Sequence, residues 1–141
     1  MASFNKFNSF VEYLAEGVID LESDTLKIVL TDAAPAATDS VLADLTEISA
    51  GNGYTAGGVA ANVVSSGQTG GTYKLVLDDV TVTASGGTIG PFRYFTLIDD
   101  TPASPADPLI GWWDYGSSVT LGDGESITVD FDAADGVLQL A

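Results

Sequence analysis

Three aspartates near the C-terminus, Asp130, Asp132 and Asp135, are spaced like part of a calcium loop, and Asp123 with Glu125 forms a second acidic pair. Calcium is bound by carboxylate oxygens and glycosides are cleaved between two carboxyl groups, so these are the first places to look for chemistry. Neither cluster has the glycine and terminal glutamate of an EF-hand loop. The chain also carries 20 Asp and Glu against 4 Lys and Arg, a net charge of −16, so close pairs of carboxylates arise by number alone. These clusters therefore read as solvated charge on turns and outward strand positions. No catalytic residue, metal ligand or cofactor site is expected.

The run AGNGYTAGG, residues 50–58, contains G-x-G. It has no helical pattern after it and no Lys-Ser/Thr pair, so it is neither a P-loop nor a dinucleotide fingerprint. Four glycines in nine residues instead predict a structural loop that needs positive φ or close backbone approach.

Absent residue types exclude more. The 141-residue chain has no histidine and no cysteine. Imidazole and thiolate metal sites, Ser-His and Cys-His catalysis and disulfides all go with them. A charge of −16 repels phosphate backbones, so nucleic acid is not an expected partner. Disorder is disfavoured too, with 45% hydrophobic residues and a mean hydropathy of +0.25. No run of 18 apolar residues could span a membrane, and MASFNKFNSFVEYLAEG lacks the basic and apolar regions of a signal peptide.

The aromatic residues are more informative. Trp112 and Trp113 are adjacent in Leu109-Ile110-Gly111-Trp112-Trp113-Asp114-Tyr115, so in a strand they point to opposite faces. One can fill a core; the other needs a cover from the N-terminal helix, a loop or another chain. Phe92, Tyr94 and Phe95 pose the same question. Interface cores favour aromatic side chains, which makes Phe4, Phe7, Phe92, Tyr94, Trp112, Trp113 and Tyr115 the candidate interface residues. Arg93, the one arginine, is expected to pair with a carboxylate or stack on a ring.

The elements that must position these residues change period along the chain. Phe10, Val11, Leu14, Val18 and Leu21 follow helical spacing, and Ser9 with Glu12 fits a capping box, which predicts a helix over 9–19. Residues 1–8, with Phe4 and Phe7, are expected as an N-terminal arm. Leu42, Leu45 and Ile48 suggest one or two helical turns started at Asp39 or Ser40. Elsewhere the period is two. Strands are expected at about 26–31, 59–65, 72–84, 90–98, 109–115, 118–121, 125–131 and 136–140.

Within 72–84 the apolar parity flips at Asp78-Asp79, which requires a bulge or a tight turn. In 125–131, Ile127, Val129 and Phe131 face in while Ser126, Thr128 and Asp130 face out. Gly70-Gly71, Gly86-Gly87 and Gly122-Asp123-Gly124 are the expected hairpin turns. The three-proline stretch 99–108 reads as a long surface loop. The expected architecture is a single domain over 1–141, mainly β, an antiparallel β-sandwich of jelly-roll-like form with an N-terminal amphipathic helix.

With these runs in view, the chain resembles a group of small acidic proteins encoded near the head genes of tailed bacteriophages. The resemblance is carried by FNSFVEYLAEGVIDLESDTLKIVLTDAAPAATDSVLADLTEI, AGNGYTAGG, TYKLVLDD, GPFRYFTLIDD and PLIGWWDYG, and covers nearly the whole chain. It implies a virion structural protein, a capsid decoration (cement) protein on the outer surface of the capsid. The implied partner is the major capsid protein, and the implied state a homo-oligomer, dimer or trimer; no enzymatic activity, nucleic acid or membrane is implied. The alternatives are a low-copy fibre, neck or tail component, or a glycan-binding module that uses an exposed tryptophan.

Overall fold

The computed structural model describes residues 3–141. The chain is mainly β, with antiparallel sheets and one short N-terminal helix. The strands are β1 (Asn5–Lys6), β2 (Leu26–Thr31), β3 (Val59–Ala61), β4 (Val63–Thr69), β5 (Thr72–Leu77), β6 (Val80–Thr83), β7 (Ile89–Asp99), β8 (Leu109–Leu121), β9 (Ser126–Val129) and β10 (Leu138–Leu140). The helix, α1, spans Asn8–Ala15. A five-stranded sheet runs β1-β8-β7-β2-β3, a three-stranded one β10-β5-β4, and β6 pairs with β9; none closes into a barrel.

Strand β2 lies inside the five-stranded sheet and is covered on both faces. Its Leu26, Ile28 and Leu30 join the main core with Leu75 and Leu77 of β5, Val80 and Val82 of β6, and Leu97 of β7. All three sheets thus share one apolar interior. Val29 points the other way, into a second cluster with Phe7, Ile98 and Leu109, against which Leu42, Leu45 and Trp112 pack. The sheet is sandwiched between a large core and a small one.

The helix is shorter than its apolar spacing predicts and starts differently. Phe7, not Ser9, is the N-cap, and no side chain caps it. Phe7 is fixed by burial and by its N–H bond to the Ile110 carbonyl (3.2 Å), so packing sets the entry of the helix. At the other end Gly17 turns left-handed at φ +77°. Its N–H bonds Leu14 O (3.3 Å) and the Val18 N–H bonds Tyr13 O (2.8 Å), a Schellman closure that ends the helix. Ile19 and Leu21 then enter the main core as irregular chain, and Val11 faces solvent.

The expected arm over 1–8 is tied down across its described part; Met1 and Ala2 lie outside the described residues. Asn5 and Lys6 pair with Trp112 and Gly111 as β1, and Phe7 is fully buried. The apolar side chains find partners on β8 and hold the segment to the sheet edge. The helical turns expected near residues 39–48 reduce to one 3₁₀ turn, Leu42–Asp44, begun at Val41. Asp44 anchors it by accepting the N–H groups of Ser40 (2.9 Å) and Val41 (3.3 Å), which hold its carboxyl below the usual range.

Strand positions follow the alternation closely, with informative departures. The parity flip at Asp78-Asp79 is where the chain leaves the three-stranded sheet and starts the β6–β9 pair. The expected strand 59–65 divides between two sheets at Asn62, and 109–115 and 118–121 fuse into β8. Gly70-Gly71 makes the expected hairpin, closing the Thr69–Thr72 pair. Gly86-Gly87 and Gly122-Gly124 do not; each links strands of different sheets. They lean on each other instead, through Gly86 N–H to Asp123 Oδ1 (2.9 Å) and Gly124 N–H to Ala84 O (2.8 Å).

Candidate functional site

The glycine-rich loop is structural, as its composition predicts. Gly51, Asn52, Gly53, Gly57 and Gly58 all have positive φ. A side chain on Gly58 would collide with the Ile28 carbonyl, so the loop closes directly on β2. It carries Tyr54 into the core, where the hydroxyl accepts the Leu30 N–H (3.1 Å) and donates to Glu47 Oε2 (2.6 Å). Burial, then the bond to Glu47, pushes the phenol far above its ordinary range. Tyr54 is a buried strut.

Arg93 meets both expectations. Its Nε and Nη2 donate to the two oxygens of Asp114 at 2.8 and 3.0 Å, and its guanidinium carbon lies 5.4 Å from the Tyr94 ring centre. The paired carboxylate raises the pKa of Arg93, and the guanidinium, then the Gly116 N–H, lowers that of Asp114. Lys27 pairs with Asp100 at 2.9 Å, and Lys74 donates to the Ala134 carbonyl at 2.9 Å.

The seven candidate interface residues separate into three places. Phe92 is fully buried against Phe95, with ring centres 5.8 Å apart, and Phe7 is fully buried against Trp112 at 4.6 Å. Neither is available to a partner; both are core residues, a correction to the interface reading. Trp112 is half-buried beneath Phe7, so its cover is the chain's own N-terminal segment. Tyr94 is half-buried beside Arg93.

Phe4, Trp113 and Tyr115 come together on the other face. They line a groove of about 320 Å³ with Phe95, Ile127, Val129, Phe131 and Val137. Trp113 contacts Phe4 at 5.3 Å and Phe131 at 5.8 Å between ring centres. Tyr115 stands edge-on to Phe95 at 6.2 Å and remains 53% exposed.

Two irregularities of β8 build this arrangement. Leu97 is opposite Gly111 while Ile98 is opposite Leu109, so Ile110 is an extra residue that re-aims the strand. It places Leu109 and Trp112 toward the small cluster, Ile110 and Trp113 toward the main core. Further on, Tyr94 faces Asp114 but Phe92 faces Val119, so residues 115–118 bulge opposite Arg93 and carry Tyr115 to the groove's margin.

The acidic cluster reappears here. Asp130, Asp132 and Asp135 edge the groove. Asp132 Oδ1 accepts the N–H groups of Ala134 (2.7 Å) and Asp135 (3.1 Å), so it shapes its own turn. Among the described residues no group of three or more metal-ligating side chains is placed to hold a metal ion. Phe95 and Phe131 line the groove too, beyond the seven candidate residues. The alternation Ile127, Val129, Phe131 marked an apolar edge, yet nothing local tied it to Trp113.

Elsewhere, Asp99 at the end of β7 is fully buried, in a stretch expected to be surface loop. Its Oδ1 accepts the Thr101 N–H (3.1 Å), and its Oδ2 has no partner. Burial, then the neighbouring Asp24 carboxylate, pushes its pKa up to about 8.

Comparison of the chain with family models, curated proteins and solved structures returns no match.

Proposed function

We propose that this protein is a virion structural component, a capsid decoration protein that binds the major capsid lattice of a tailed bacteriophage. In this reading the three sheets form an antiparallel β-sandwich of jelly-roll-like form, and two or three copies associate on the outer surface of the capsid. The shared core between the five-stranded sheet and the two smaller sheets supports the sandwich description.

One observation carries the functional reading. Tyr115, which is exposed, and Trp113, which is partly covered by Phe4 and Phe131, both come from the GWWDYG run that bears the resemblance and line a surface groove. The groove offers aromatic contact area set in a strongly anionic surface. Aromatic anchors at a partly open pocket are what a protein–protein contact uses. The surrounding negative charge keeps densely coated particles apart.

Quantitative mass spectrometry of purified virions tests it, counting this chain against the major capsid protein. A ratio near one, or a simple fraction of it, is expected. A handful of copies would move the chain to a fibre, neck or tail, and absence from virions would overturn the structural reading.

The groove also favours a second reading, a glycan-binding module, because sugars stack on accessible aromatic rings and Tyr115 is exposed at its margin. Fluorescence titration with a panel of monosaccharides, with and without calcium, separates it from the first.

A further inference from the structure

Floor and rim of the groove carry different chemistries, and the pair restricts what fits. The floor is aromatic, with the Trp113 ring in contact with both Phe4 and Phe131. The faces of such rings carry negative partial charge and attract cations. The rim is anionic. Among the described residues neither Asp130 nor Asp135 joins an ion pair, since the two pairs present are Lys27–Asp100 and Arg93–Asp114. Lys74 reaches the same loop, but its ammonium group sits on the Ala134 carbonyl.

Ring faces and carboxylates therefore pull in the same direction. A neutral apolar ligand gains only the burial of its surface; an anion is repelled by the rim. A second copy of this chain would meet the anionic rim with its own −16 of charge, so it is not the occupant of this groove, and copies that associate on the capsid do so through other surfaces.

We propose that this groove receives a lysine or arginine side chain carried on an exposed segment of a partner protein. Its aliphatic stem lies on Trp113 and Phe131, and its charge lies between Asp130 and Asp135. This deepens the decoration reading and rests on it for the identity of the partner, while the chemistry of the groove is testable without any partner.

The test is a titration of the full-length protein with n-hexylammonium, n-hexanol, n-hexyl sulfate and methyl glucoside at matched ionic strength, followed in ¹H–¹⁵N spectra. The Trp113 indole N–H, assigned with Trp113→Phe, is expected to shift with the ammonium probe. Binding of that probe is expected to be about fivefold tighter than that of hexanol, with hexyl sulfate weakest. The double variant Asp130→Asn/Asp135→Asn should abolish the preference for the cation and leave hexanol binding unchanged.

Equal binding of hexanol and hexylammonium, tighter binding of the sulfate or the glucoside, or no shift at Trp113 would each overturn the proposal. Its fate is separable from that of the decoration reading. Failure here with a stoichiometric virion count rejects the cationic contact alone; success here with no copies in virions rejects the capsid.

Discussion

The ring of Phe4 occupies the space that a side chain on Gly111 would fill: a Cβ built there collides with Phe4 Cε2 and Cζ. The glycine of the GWWDYG run is thus a seat for an aromatic ring more than a hundred residues earlier in the chain. Phe4 seated there touches Trp113 and completes the groove floor.

Replacing Gly111 by Ala should expel Phe4 from that seat. Overpacking of this kind costs about 1–3 kcal/mol. Chemical denaturation should report that loss, and the Trp113 indole should move in the NMR spectrum. An unchanged spectrum would mean that the ring does not sit there in solution.

Trp112→Ala and Trp113→Ala should both destabilise the fold, because each indole is covered from within the chain, Trp112 by Phe7 and Trp113 by Phe4 and Phe131. Full burial of Trp is worth about 3–5 kcal/mol on truncation, and half-burial places these two at about 2–3 kcal/mol. Only Trp113→Ala should also abolish probe binding in the groove. Urea melts of the two variants, read beside the titration, check both statements.

Tyr54→Phe removes one oxygen and keeps the ring. The Leu30 N–H then loses its partner inside the core, while Glu47 Oε2 keeps the Gly57 N–H at 2.9 Å. An unsatisfied buried donor costs about 1–3 kcal/mol, so the midpoint of denaturation should fall while the far-ultraviolet spectrum stays the same. A neutral result would show that water enters to replace the hydroxyl.

Asp99 gives a pH dependence with a definite sign. Its pKa is raised on folding from 3.8 to about 8, so the folded state holds a proton that the unfolded state releases. The stabilisation is complete below the unfolded value and is lost progressively as pH rises from about 4 to about 8. The charges that face it, Asp24 and Asp20, are both acidic and act in the same direction. Thermal melts between pH 5 and 8 should show a declining midpoint, and Asp99→Asn should flatten the decline. An equal slope in the variant would assign the dependence to general repulsion among the other carboxylates.

Much of the scaffold was legible locally. The alternation of Ile127, Val129 and Phe131 placed β9 and its inward face, and the flip at Asp78-Asp79 marked a real change of sheet. Glycine density at residues 50–58 announced a loop closing on the backbone. The helix was overestimated because Val18 and Leu21 keep helical spacing while Gly17 ends the helix before them. Gly86-Gly87 and Gly122-Gly124 close no hairpins, because glycine pairs report a change of direction, not which strands meet afterwards.

Residue types by themselves removed imidazole, thiolate and disulfide chemistry, and side-chain period by itself made the chain mainly β with one N-terminal helix. Both are properties of a residue and its near neighbours, so sequence determines them. Only the tertiary structure decided that Phe7 covers Trp112, that Phe4 sits on Gly111 beside Trp113, and that Phe131 closes the same groove. It likewise decided that Asp99 is buried beside another carboxylate while most of its kind remain in water. Strand pairing joins residues far apart in the chain, and one extra residue at Ile110 reassigns the faces of β8. Side-chain environment follows from that pairing, which local period does not encode.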